Sequence, residues 1–181
     1  ETGHFARDSI VIAGTPAQVA DRLLPLFPGM GRDDMLDTLN DEAEKAPQRE
    51  AVPLVPLLEG LRAAGLKLGV ATNDAEAPAR AHLGAAGITG LFDFVAGFDS
   101  GHGGKPAPGQ MLAFAAAMGL DPAEVIMVGD STHDLHAGRA AGMTAIAVLT
   151  GLATEADLAP HADAVLPDIG HLPQWLQQQD R

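Results

Sequence analysis

The sequence predicts an α/β protein: a parallel sheet with helices on both faces, preceded by a small helical unit. Three observations carry this. After residue 50, short apolar runs alternate with amphipathic helical stretches at even spacing. The runs are dominated by Val, Ile, Leu and Ala, as suits strands buried on both faces. Polar residues of particular types gather where three of the runs end.

The helical unit comes first. Thr15-Pro16-Ala17-Gln18 reads as a helix start: Thr15 can cap, Pro16 suits the first helical position, and Gln18 can bond back. Val19, Leu23, Leu24 and Phe27 then fall on one face, and Pro28-Gly29 ends the helix. A second, acidic helix follows from about Asp33 to Lys45, with Met35, Leu36 and Leu39 as a narrow apolar stripe, and Ala46-Pro47-Gln48 reads as an exit linker. The predicted division is therefore 1–49 helical and 50–181 α/β.

In the second part a helix is expected from about Val55 to Ala64, closed by Gly65. Leu66 to Ala71 reads as a buried strand, Ala77 to Ala86 as a helix and Phe94 to Ala96 as a second strand. Pro108 to Met118 is helical, with Met111, Leu112, Ala115 and Met118 on one face. Val125 to Val128 is a strand and Asp134 to Ala141 a helix; Thr144 to Leu149 and Ala164 to Leu166 are further strands. A last helix runs from Ile169 towards Gln178, with Trp175 expected to pack it on the core.

Composition removes several functions. Of 181 residues, 46% are hydrophobic and 19% charged, enough for a sizeable core. The balance of 24 acidic to 11 basic residues gives −13, with no two basic residues adjacent. Phosphate backbones and anionic lipids need clustered Lys and Arg, so neither nucleic acid nor a membrane surface is an expected partner. Cysteine is absent, which excludes disulfides, thiolate metal sites and Cys nucleophiles. No apolar run approaches the roughly 20 residues that span a bilayer. The expected compartment, by elimination, is the cytoplasm.

In parallel sheets chemistry sits beyond the carboxyl ends of the strands. One strand ends in Thr72-Asn73-Asp74 and another in Gly129-Asp130-Ser131-Thr132-His133-Asp134; between them comes Gly101-His102-Gly103-Gly104-Lys105-Pro106. Taken singly, Thr72-Asn73 reads as a turn or cap, Lys105 as a solvated loop residue and Asp130 as the cap of the next helix. The pair Asp130 and Asp134 resists that treatment. Two carboxylates brought together repel unless a positive group stands beside them, and a hard cation such as Mg²⁺ suits oxygen ligands. A hydroxyl with backbone amides, a lysine and a carboxylate-bound cation together suit a dianionic phosphoryl group.

These residues resemble motifs two, three and four of the haloacid dehalogenase superfamily, in the family's own order. Motif two is Leu68-Gly69-Val70-Ala71-Thr72-Asn73, motif three Gly104-Lys105-Pro106, and motif four Gly129-Asp130-Ser131-Thr132-His133-Asp134. Within the superfamily the chain is most similar to the phosphoglycolate phosphatase-like branch, whose helical cap is inserted between motifs one and two. Residues 1–49 then correspond to the end of that cap, on a Rossmannoid core. The resemblance implies a Mg²⁺-dependent phosphatase acting on a small phosphorylated metabolite through an aspartyl phosphate. Thr72 and Asn73 would bind the phosphoryl oxygens and Lys105 would neutralise nucleophile and phosphate. Asp130 would ligate Mg²⁺, and Asp134 would orient Lys105 or a metal-bound water, or itself be a ligand.

Motif one, an Asp-x-Asp pair ending the central strand, supplies nucleophile and general acid in that family. None of the 16 aspartates stands two positions from another. The expectation is that the nucleophile lies outside residues 1–181, on a preceding segment of the same protein or on a second copy. Without that strand the sheet would split in two halves with unpaired edges.

Other readings fit less well. A P-loop would need Gly where Asp99 stands and Ser or Thr where Pro106 stands, and no Gly-x-Gly-x-x-Gly follows a strand. A response-regulator receiver carries its acidic pair before Thr and Lys. A true dehalogenase needs no cation. A catalytically inactive binding module of the same fold, another hydrolase of the superfamily and a phosphomutase remain as alternatives. His133 and His136 lie three apart on a helix, a possible metal face, but with no third ligand apparent in the sequence they read as a solvated first turn; His102 is most simply a loop residue.

Overall fold

The computed structural model describes Ile10 and residues 14–179. The α/β expectation holds. The order is α1 (Pro16–Leu23), α2 (Arg32–Lys45), α3 (Leu54–Ala63), β1 (Gly69–Ala71), α4 (Glu76–Ala85), β2 (Phe94–Ala96) and α5 (Gly109–Met118). It continues with β3 (Ile126–Gly129), α6 (Thr132–Ala140), β4 (Thr144–Val148), α7 (Glu155–Leu158), β5 (Ala164–Leu166) and α8 (Leu172–Gln179), with 3-10 turns between several of these.

All strand pairs are parallel, but the described strands form two sheets rather than one, β1–β2 and β3–β4–β5. Between β1 and β3 lies an apolar groove of about 530 Å³, lined by both strands and by Leu58, Leu61, Phe114 and Leu172. Of its polar lining residues Lys67, Gln110 and Glu124, Gln110 is fully buried, and its Oε1 has no hydrogen-bond partner.

Helix α5 packs on β1 and β2, and α6 packs on β3 and β4. One core cluster gathers Met111 and Ala115 of α5, Val125, Ala137 and Met143, with Phe114 and Met127 against it. The other joins Leu135 of α6 to Ala145, Ala147 and Leu158. Close approach demands glycine twice here. A Cβ at Gly69 would stand 2.6 Å from the Phe114 ring, and one at Gly138 would stand 2.6 Å from Met127 Cβ.

Several boundaries shift for local reasons. Leu66 to Leu68 lie outside β1, which begins at Gly69: Gly65 is left-handed (φ +86°) and the Leu66 amide turns back to the Leu61 carbonyl. In α1 the Thr15–Gln18 capping box forms as expected. Phe27, however, falls off the apolar face and is exposed, because the tighter 3-10 turn Leu24–Leu26 changes the phase. The buried face of α5 is Gln110, Met111 and Ala115, and Leu112 points outward. Trp175 is half-buried and lines an open groove with Pro56, Leu57 and Gly60 instead of entering the core. Helices α1 and α2 pack on each other, and α2 packs on α4, where His82 Nε2 meets the Ala43 carbonyl at 2.9 Å.

Candidate active site at the strand ends

Strand β1 ends at Ala71 and the chain then turns through Thr72, whose Oγ1 accepts from the Asp74 amide at 3.0 Å. The Thr72 amide still donates to Ala96, prolonging the β1–β2 ladder, while the Thr72 carbonyl accepts from Gln110 Nε2 at 2.9 Å. The backbone under Thr72 is thus held from both sides.

Asn73 does not sit free at the strand end. Its Oδ1 accepts from the Lys105 amide at 2.7 Å and its Nδ2 donates to the Lys105 carbonyl at 3.0 Å. This reciprocal pair clamps the motif-three loop to the end of β1. Gly104 leaves the necessary room: a Cβ there would come 2.9 Å from Thr15 Cγ2 and 3.0 Å from Asn73 Oδ1. The same contact brings the start of α1 to the rim of the site. The Lys105–Pro106 peptide is cis.

Lys105 turns inward, its side chain only 12% exposed. Nζ donates to Asp134 Oδ1 at 2.6 Å and to the Ala71 carbonyl at 2.8 Å. Asp134 is buried, and its Oδ2 accepts from the Ser131 amide at 3.1 Å and from Ser131 Oγ at 2.7 Å. Ser131 caps α6, so Asp134 joins a capping box to an ion pair. Gly129 makes this possible, since a Cβ there would lie 2.2 Å from Asp134 Cβ.

Asp130 is partly exposed at the end of β3, with its carboxylate partly covered, and Ser131, not Asp130, caps the following helix. Its carboxylate leans on the backbone of Gly151, where a Cβ would come 2.5 Å from Asp130 Oδ2. Partial burial, and next the charge of Asp134, hold the Asp130 carboxyl above the usual carboxylate range; Lys105 opposes the rise.

The structure therefore brings together all five residues singled out in the sequence, and the positive group beside the two carboxylates is Lys105. The chemistry left over is specific. Asp130 offers oxygen donors near a second carboxylate, a setting that suits a hard cation completed by water and phosphate oxygens. Among the described residues no three His, Asp or Glu side chains converge as a metal site. Sequence reasoning passed over two supports. Ser131 was visible as the first member of a Ser-x-x-Asp capping box. Gln110 gave no signal, standing among apolar residues on its helix.

Comparison with known proteins gives the family and the fold. Residues 20–148 match the family described as haloacid dehalogenase-like hydrolase. A probable phosphatase, IndB, of Dickeya dadantii is 38% identical over 125 residues, 67% of this chain and 54% of that protein. A phosphoglycolate phosphatase of Rhodospirillum rubrum is 36% identical over 120 residues, 66% of this chain and 50% of that protein. The chain thus spans about half the length of these relatives. A crystal structure of a predicted phosphoglycolate phosphatase from Haemophilus somnus superposes with TM-score 0.72 at 22% identity, covering 89% of this chain and 75% of that one.

Proposed function

The chain belongs to the haloacid dehalogenase-like hydrolase family, and from that premise we propose that it is part of a Mg²⁺-dependent phosphatase of small phosphomonoesters, phosphoglycolate-like in size and charge. The observation that carries this is Lys105, fixed between the Ala71 carbonyl and Asp134 at the junction of the two sheets. An ammonium so held adds positive charge at a fixed point and needs no reorganisation when phosphoryl charge develops.

In this reading Thr72 Oγ donates to a phosphoryl oxygen, Asn73 keeps the loop of Lys105 in place, and Lys105 offsets the charge of phosphate and nucleophile. Asp130 would hold Mg²⁺, with water and phosphate oxygens completing its shell. The bound ion would neutralise phosphate charge and draw the substrate into line with its attacker. Asp134, with both oxygens engaged by Lys105 and Ser131, serves as a positioning residue, and a direct ligand role is the less fitting alternative. The nucleophilic Asp, which forms the aspartyl phosphate, comes from outside residues 1–181. The groove between β1 and β3 suits the strand that carries it: both flanking strands lack a partner on that side among the described residues, and Gln110 Oε1 awaits a donor. The relatives' greater length is consistent with such a segment.

The test is steady-state phosphate release by the whole gene product from phosphoglycolate and other small phosphomonoesters. Turnover that needs Mg²⁺ and stops with a chelator supports the reading. Absence of turnover on every phosphomonoester with Mg²⁺ present would leave a binding module of the same fold.

A further inference from the structure

Two histidines outside the site meet in space. His136 lies on the exposed side of α6, and His161 ends the 3-10 turn Ala159–His161 that leads into β5. His136 Nε2 and His161 Nδ1 are 3.2 Å apart, with ring centroids at 4.6 Å and planes at 86°. One ring donates and the other accepts, so the pair brings a nitrogen lone pair and a proton together at a solvent-facing point.

The supporting backbones are tied to each other. Arg139, one turn along α6, donates from Nε to the His161 carbonyl at 2.6 Å and from a terminal nitrogen to Asp163 Oδ1 at 2.9 Å. The turn is thereby pinned to the helix, and Asp163 offsets the guanidinium charge that would otherwise repel a cation.

The separation of the two nitrogens is informative. Two imidazole nitrogens about 2.0–2.1 Å from one tetrahedral ion stand roughly 3.3 Å apart. At the same bond length, adjacent ligands of a square-planar ion stand roughly 2.9 Å apart. The observed 3.2 Å lies between these values. Seating an ion requires the donating ring to carry its proton on its other nitrogen, so that both facing nitrogens offer lone pairs, and turns the rings about their bonds to Cβ.

We propose that His136 and His161 form a two-imidazole site for a borderline divalent transition-metal ion, with water in the remaining positions. Imidazole suits Cu²⁺, Ni²⁺ and Zn²⁺, with Cu²⁺ the tightest of the three, whereas Mg²⁺ takes oxygen donors. The pair is therefore chemically distinct from Asp130 and independent of the phosphatase reading. A bound ion clips α6 to the approach of β5 and stabilises the folded chain by mass action.

The test is Cu²⁺ titration of the whole, tag-free gene product, read by electron paramagnetic resonance and by calorimetry, with excess Mg²⁺ present. The expected result is one equivalent bound with hyperfine coupling to two nitrogens. His136→Gln and His161→Gln should each weaken binding by more than about tenfold, roughly 1.4 kcal/mol, with circular dichroism unchanged. His171→Gln should bind as wild type. Coupling to two nitrogens that survives in both single variants, or absence of binding to the wild type at millimolar Cu²⁺, overturns the proposal.

Discussion

Lys105 Nζ lies 2.6 Å from Asp134 Oδ1, and through that one contact the motif-three loop is joined to the capped start of α6. Both side chains are nearly enclosed, at 12% and 8% exposure. A desolvated pair of this kind constrains geometry more than it adds stability, and it places the ammonium where two strand ends meet.

Breaking that pair from one side leaves a buried charge without its partner. Asp134→Asn is expected to lower unfolding free energy by about 3–5 kcal/mol in denaturant titrations. The double variant Lys105→Met, Asp134→Leu should be less destabilised than the sum of the singles. Strict additivity would show that the pair is not coupled.

Asp130 should behave in the opposite sense for stability. Its folded-state pKa is raised above the ordinary 3.8, so ionisation of the carboxyl costs stability at neutral pH. Asp130→Asn is therefore expected to melt higher than wild type at pH 7 without divalent ions. That gain should shrink as pH falls and vanish below the ordinary value, where both states are protonated. The same variant should lose Mg²⁺-dependent turnover. A variant both active and no more stable would remove Asp130 from the site.

Asp93 supplies the contrasting case. The Leu68 amide at 3.0 Å holds its carboxyl below 3.8, with Arg62 and Lys67 adding to the effect. Its stabilisation is present above pH 3.8 and is lost as pH falls through the lower folded-state value. Urea midpoints of wild type and Asp93→Asn should differ at pH 6, and the gap should narrow as pH falls below 3.8. A gap that stays constant over that range would contradict the assignment.

Two glycines near the site should fail differently. Gly129→Ala drives a methyl into Asp134 Cβ and should cost about 1–3 kcal/mol of stability. Gly151→Ala sets a methyl 2.5 Å from Asp130 Oδ2 and 2.9 Å from Asp130 Cβ, so the carboxylate must swing away and the backbone must give a little. Its expected effect is a higher Mg²⁺ requirement with a smaller loss of melting temperature than Gly129→Ala gives. The reverse pattern would misplace Asp130.

Much of the fold was legible because helices and strands here carry strong, separate patterns. The Thr15 capping box, the Gly65 close of α3 and the strand expected at Val125 to Val128, observed one residue later at Ile126–Gly129, all follow from local chemistry. Boundaries failed where a turn overrode hydrophobicity, as at Leu66, or where a proline-containing 3-10 turn altered phase before Phe27. At the site, residue types and spacing pointed to Thr72, Asn73, Lys105, Asp130 and Asp134. How they are held was hidden. That Asn73 grips the Lys105 backbone and Gln110 the Thr72 carbonyl depends on contacts 32 and 38 residues apart in sequence. The meeting of His136 with His161 spans 25 residues and was equally out of reach.

The central claim is that Lys105 stabilises transferring phosphate. The most direct measurement is kcat/KM of the whole gene product for phosphoglycolate with saturating Mg²⁺, comparing wild type with Lys105→Met, the folded fraction of each fixed by circular dichroism. The account predicts a fall of about 10²–10³-fold, the scale of one preorganised electrostatic group. A loss below about threefold on that scale would contradict it, leaving Lys105 as a structural partner of Asp134 alone.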